Sequence, residues 1–299
     1  MAYRLQPGES VPDGLRRCAR EQLDQAIDQL STRVTDDPVE AVHEARKSLK
    51  KARSILRLGR GALDSDQRRR DNAALRDAGR KLSAARDAEV MLEATDELAE
   101  RFAGRVPQAT FEAIRRHLAA ERGESDAGLT GQVAEELKAV RSRIDEWPSR
   151  KTGWKALEPG LKRSYARGRA GFERARSHPT AENLHEWRKR TKDLWYHLRL
   201  LKPLAPGIVG GAAKEADKLS KLLGDDHDLA VLHATLDRGA GDLKVDVDAV
   251  LALIDHRREQ LQAEAVLLGQ RLYAERPKAF VARMHRYWKA SRPRAAARS

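Results

Sequence analysis

An all-α chain built from two similar halves is what the sequence predicts, on three observations. Ala, Leu, Arg, Glu and Asp outnumber Val, Ile and Thr, a balance that favours helix because Ala and straight-chain residues lose little freedom there. No run alternates apolar and polar residues long enough to mark a strand. Finally, "VHEARKSLKKARSILRL", Val42 to Leu58, returns as "LHEWRKRTKDLWYHLRL", Leu184 to Leu200. Both read His-Glu-x-Arg-Lys-x-x-Lys, and His43 precedes His185 by 142 residues.

The repeat extends to other blocks in the same order. "GLRRCAREQLDQAI" from Gly14 matches "GLKRSYARGRAGFE" from Gly160, and "LSAARDAEV" from Leu82 matches "LGDDHDLAV" from Leu223. Two tandem copies of about 140 residues follow, joined near "EWPSRKTGW", where Pro148 and Gly153 punctuate the chain. The first copy predicts helices at 13–32, 38–59, 64–104 and 108–146. The second predicts them at 155–177, 181–202, 210–238 and 246–275, with a short helix after Pro277. Pro38 and Pro179 suit helix starts, with Glu40 and Glu182 placed to favour the helix dipole. Gly59, Gly61 and Lys202-Pro203 suit stops. The expected architecture is two four-helix bundles, 13–147 and 154–276, related by a pseudo-two-fold axis, then a short helix and basic tail at 277–299.

Charge narrows the partners. The 299 residues carry a net +13, which calls for nucleic acid, an anionic membrane surface or another polyanion. Cys18 is the only cysteine, so neither an intramolecular disulfide nor a cysteine-rich metal site can form. The first thirty residues lack an apolar signal core, and no stretch of eighteen apolar residues occurs. A cytoplasmic protein without membrane insertion is the expectation.

The two repeated helices carry that charge on one face. With His43 as zero on a helical wheel, Arg46, Lys47, Lys50, Arg53 and Arg57 fall within an arc of roughly 120°. Val42, Ala45, Leu49, Ala52 and Leu56 lie opposite, as a core stripe. In the second copy His185, Arg188, Lys189, Lys192 and Arg199 form the basic face, and Leu184, Trp187, Leu194 and Leu198 the apolar one. Trp195 and Tyr196 replace Arg53 and Ser54. Solvated faces usually mix signs at i, i+4. These ladders, nearly free of acids, repel themselves by a few tenths of a kcal/mol per pair and so call for an anion. Further candidates are Arg16, Arg17 and Arg20, matched by Lys162, Arg163 and Arg167, together with Lys81, Arg86, Lys218 and Lys221.

These motifs, with the Arg-Asp and His-Asp steps of "LSAARDAEV" and "LGDDHDLAV", resemble the CHAD domain, an α-helical histidine-containing family, over roughly Gly14 to Tyr287. The resemblance implies a pair of four-helix bundles that bind inorganic polyphosphate along a basic channel or surface. It assigns that role to His43, Arg46, Lys47, Lys50, His185, Arg188, Lys189 and Lys192, with Arg53, Arg57 and Arg199 extending the faces. Many members are fused to a triphosphate tunnel domain with a Glu-x-Glu-x-Lys strand. This chain has no two glutamates so spaced and resembles a stand-alone member, with an association with polyphosphate granules implied.

Polyphosphate suits such residues because it offers closely spaced anionic oxygens and no bases, matching Arg forks, Lys point charges and His donors in a row. If His43 and His185 charge on binding, affinity rises as pH falls from about 8 to 6. Nucleic acid is the rival polyanion, bound weakly at low salt. No helix-turn-helix or zinc finger is present, and aromatics are sparse for stacking. A metal-dependent phosphohydrolase would rest on "GDDHDL", with Asp225, Asp226, His227 and Asp228. The first copy keeps only Asp87 there, so a structural Asp paired with a basic-face cation is the expectation, with no metal, cofactor or catalysis. The tail "RMHRYWKASRPRAAARS" reads as a frayed end, and Cys18 as a small buried hydrophobe.

Overall fold

The computed structural model describes residues 3–82, 84–120, 127–147, 151–239, 245 and 247–292. Within these the chain is all-α. The first helices are α1 (Val11–Ser31), α2 (Pro38–Leu58), α3 (Ser65–Lys81), α4 (Ala84–Arg101), α5 (Gln108–Ala120) and α6 (Ala127–Arg143). They are followed by α7 (Gly153–Ser177), α8 (Ala181–Leu201), α9 (Pro206–Gly239), α10 (Asp248–Leu272) and α11 (Pro277–Ala290). Pro148 and Pro293 lie outside the described residues.

Local chemistry sets the helix starts. Asp37 caps α2 by accepting from the Glu40 N–H at 3.1 Å, with Pro38 in the first turn. Thr180 caps α8 through the Asn183 N–H at 3.2 Å, so Pro179 precedes the cap rather than opening the helix. Asp64 caps α3 through two N–H groups.

Two expected helices of the first half are broken. The segment expected at 64–104 is α3 and α4. Leu82 ends α3, and its freed carbonyl accepts from Arg46 Nη1 at 2.8 Å, so a side chain replaces the next helical donor. The segment expected at 108–146 is α5 and α6, separated by "ERGESD". Residues 121–126 lie outside the described residues. In the second half α9 runs unbroken for 34 residues.

Packing closes two rings of neighbours. α1 lies against α2 and α6, and α3 joins α2 to α6. In the second ring α7 meets α8, α8 meets α9, and α10 meets α9 and α7. α4 and α5 pair outside the first ring, and α4 leans on α9. The rings join where α2 packs on α7 and α8. Pro159 cannot donate to the Lys155 carbonyl, and Gly61 sits against that carbonyl. Gly160 meets the end of α2 so closely that a Cβ there would lie 2.1 Å from the Leu58 carbonyl oxygen. One apolar cluster runs through both rings, taking in Leu49, Ile55, Leu161, Trp187 and Leu223. The core stripes of α2 and α8 are buried as expected.

Candidate anion-binding surface

The two repeated helices cross at Ser54. Its hydroxyl donates to the Asp193 carbonyl at 3.4 Å, and the His197 ring donates from Nε2 to the Ser54 carbonyl at 2.9 Å. Burial pulls His197 down to about 4, so it serves here as a neutral donor. One turn beyond Ser54, Arg57 forms an ion pair with Asp193, which is 8% exposed.

Around that ion pair, arginines gather from four helices: Arg53 and Arg57 of α2, Arg68, Arg76 and Arg80 of α3, Arg163 and Arg167 of α7, and Arg190 of α8. Arg60, just past α2, joins them. Asp77 pairs with Arg76 and Arg80, Asp193 with Arg57 and Arg190, and Glu186 with Arg190. The set remains strongly positive. Burial, then Arg57, Arg76 and Arg80, bring Arg53 down to about 10 despite Asp193. Burial and then Arg190 and Arg163 lower Arg167. Burial and then neighbouring arginines also lower Arg60 and Arg68.

The first turns of the repeated motif form a second group. Burial, then Arg188, pull Lys192 down to about 8; Asp217 and Asp228 oppose this and Lys47 adds to it. The charges of α2 and α8 therefore reach each other at Lys47 and Lys192. Arg188 lies against Gly224 of α9, and its buried Nε has no hydrogen-bond partner. The rings of His185 and His227 lie tilted against each other, with centroids 4.1 Å apart. Burial foremost draws both down to about 4; His227 and then Lys189 and Arg188 add to it at His185, and Arg188, Lys189 and Arg258 add to it at His227. His43 and Arg46 are half-buried and Lys50 is exposed.

Several expectations change at this point. The ladders are not free of acids: Glu44 accepts from Lys47 at 2.7 Å and lies 3.8 Å from His43, and Glu186 pairs with Lys189 and Arg190. Arg17 turns to Glu9 and Glu21, Arg20 to Asp145, and Arg16 to Asp13 and the Trp147 carbonyl, all away from the crossing. Lys81 pairs with Glu136, Lys218 with Glu264 and the exposed Lys221 with Asp217, while Lys162 is exposed. Arg199 leaves the arginine set and lies over the rings of Trp195 and Tyr3, at 5.1 and 5.5 Å. The side chains of Arg86 and Asp87 lie outside the described residues.

Sequence reasoning missed Arg60, Arg68, Arg76, Arg80 and Arg190. Arg68, Arg76 and Arg80 stand eight and four residues apart, one face of α3, so the wheel drawn for α2 finds them too. It also missed Lys51, which is only 9% exposed.

In "GDDHDL" the aspartates part company. Asp226, 1% exposed, accepts from Gln262 at 2.7 Å and Arg258 at 3.2 Å, so its cation comes from α10 rather than from a basic face. Asp225 and Asp228 open onto a groove between α4 and α9 that also holds Glu93, Glu97 and Glu100. Among the described residues no group of three His, Cys, Asp or Glu is placed to hold a metal ion. Nor is any described helix long and apolar enough to cross a membrane. Cys18 is buried, and burial raises its thiol to about 11.

An all-helical protein with cations converging on a crossing of two like helices is thus defined. The CHAD domain profile matches residues 17–237, so the chain belongs to the CHAD family. The fold is similar to that of PptA from Streptomyces chartreusis, with a TM-score of 0.58 at 15% identity, over 89% of this chain and 100% of that one. A search of curated proteins finds no match.

Proposed function

We propose that this protein binds inorganic polyphosphate without acting on it, along a cationic surface centred on the α2–α8 crossing. The observation that carries the reading is the set of arginines from α2, α3, α7 and α8 gathered around the Arg57–Asp193 ion pair, where they outnumber the acids Asp77, Asp193 and Glu186. Holding so many guanidinium groups together costs free energy that a string of phosphates returns through bidentate contacts. Family membership supplies polyphosphate as the polyanion. Arg46, Lys47, Lys50, Arg188, Lys189 and Lys192 form one part of the surface, and Arg53, Arg57, Arg163 and Arg167 the other.

The two rings are read as copies of one unit, 13–147 and 154–276. In support, Arg46 reaches the end of α3 at Leu82, while its counterpart Arg188 lies against α9 at Gly224, the position aligned with Ser83.

Calorimetric titration with long-chain polyphosphate, and with single-stranded DNA of equal charge, at about 150 mM salt tests the reading. Tight polyphosphate binding, weak DNA binding and loss in a folded variant with Arg46, Lys47, Lys50, Arg188, Lys189 and Lys192 all changed to Ala is expected. Equal affinity for both polymers reduces the surface to a generic basic one.

A further inference from the structure

The α2–α8 crossing is asymmetric in charge. One turn after Ser54, Arg57 meets Asp193. Residues 142 positions apart exchange places across the repeat, so the matching contact one turn before Ser54 brings together Lys51 and Arg199. Where one end has an ion pair, the other has two cations. They lie in a cavity of about 560 Å³ bounded by the N-terminal segment, α1, α2, α8 and α9.

Lys51 is the deep wall of that cavity. It is 9% exposed; the Tyr3 ring face lies 6.0 Å from its ammonium, and the charge of Glu44 favours it from farther off. Burial first, and then Arg199 and Lys47, weaken its hold on a proton. Arg199 rests on Tyr3 and Trp195. Arg4, Lys202 and Lys214 line the mouth, and the lining acid Asp217 is shared with Lys221 at 3.7 Å. Gln22, 5% exposed, has an amide oxygen without a partner; a half-turn of that amide presents its NH₂ instead. The Leu5 N–H pins the N-terminal segment to the Leu200 carbonyl at 3.0 Å, which holds Tyr3 in the wall.

A largely buried ammonium held by no ion pair, in a cavity where cations outnumber acids, calls for an anion. The cavity has room for the end of a phosphate chain. A terminal phosphate also carries more charge near neutral pH than an internal one, as a phosphomonoester carries about −1.5 to −2.

We infer that this cavity takes the terminal phosphate of a polyphosphate chain, with Lys51 and Arg199 as its ligands. The inference rests on the polyphosphate reading above. Tripolyphosphate, nearly all chain end, is the probe, titrated calorimetrically into the wild type, Lys51→Met and Arg199→Met. Medium-length polyphosphate, free or with both ends blocked as phosphoramidates, is titrated into the wild type. Saturable tripolyphosphate binding weakened about tenfold in each variant is expected. Lys51→Met should melt no lower than wild type without ligand, because a buried unpaired charge has been removed, and so its weaker binding is not unfolding.

A loss on end-blocking assigns the cavity to the ends of longer chains. Lys51-dependent tripolyphosphate binding with no effect of blocking assigns it to short free chains. Tripolyphosphate that binds wild type and variants equally, or not at all while long chains bind, overturns the inference and leaves the proposed function standing. If long chains fail as well, both fall.

Discussion

Lys192 is the side chain through which pH reaches this surface. Unbound, its ammonium gives up its proton near pH 8, because burial and Arg188 and Lys47 outweigh Asp217 and Asp228. A polyanion beside it holds the proton on. Binding therefore takes up a proton wherever the free amine is neutral, and affinity falls as pH rises above about 8. Titrations at about pH 8 and 9.5 should show a steeper loss for wild type than for Lys192→Met. Burial holds His185 neutral at pH 6 in the free protein, so charge it carries there is gained from the ligand.

Asp226 tests the rival enzymatic reading at the same scale. Buried between Arg258 and Gln262, it is placed as a structural carboxylate. Asp226→Ala should cost about 2–4 kcal/mol in urea unfolding by stranding Arg258. It should leave polyphosphate affinity unchanged in the protein that remains folded. Polyphosphate shortened by wild type but not by this variant, on a sizing gel with divalent cations, contradicts that placement.

Among the elements, α2 and α8 were the most legible. Their apolar stripes, their starts near residues 38 and 181 and their shared basic motif all follow from a period of 3.6 read over one strand of sequence. What that period could not give is which helix lies beside which. The arginine set is assembled from faces of α3 and α7 that look like ordinary solvated charge alone, and Glu44 and Glu186 sit at the margin of the wheel yet swing onto its lysines. The break at Leu82 was hidden for a related reason: the residue that satisfies it, Arg46, comes from another helix. The crossing itself yields a prediction. Asp193→Asn removes the carboxylate shared by Arg57 and Arg190. It should lower stability by about 1–3 kcal/mol, the pair being partly exposed on the arginine side, and raise polyphosphate affinity by releasing two guanidinium groups. Thermal melting and calorimetry on one preparation read both.

For the molecule as a whole, a net +13, with many of its arginines gathered around the α2–α8 crossing, should make salt the main control on binding. Each neutralised phosphate should add about −0.7 to the slope of log affinity against log salt, by analogy with single strands. The variant lacking the six Lys and Arg of the repeated motif should show a shallower slope. An unchanged slope with lower affinity places those residues off the binding path. Composition and charge alone announced a polyanion partner, but the ring order, the leaning of α4 on α9 and the cavity at Lys51 are properties of packing that no single segment encodes.

The continuous core and the backbone contact at Gly160 bear on speed as well as on strength. Two rings that share apolar side chains, and touch carbonyl to Cα, are held in one fixed relation at the α2–α7 contact. On the proposed function, capture should be a matter of encounter, with the field of the arginines drawing the polymer in. Such a receptor fills about as fast as diffusion and the ionic atmosphere permit, and empties one phosphate contact at a time.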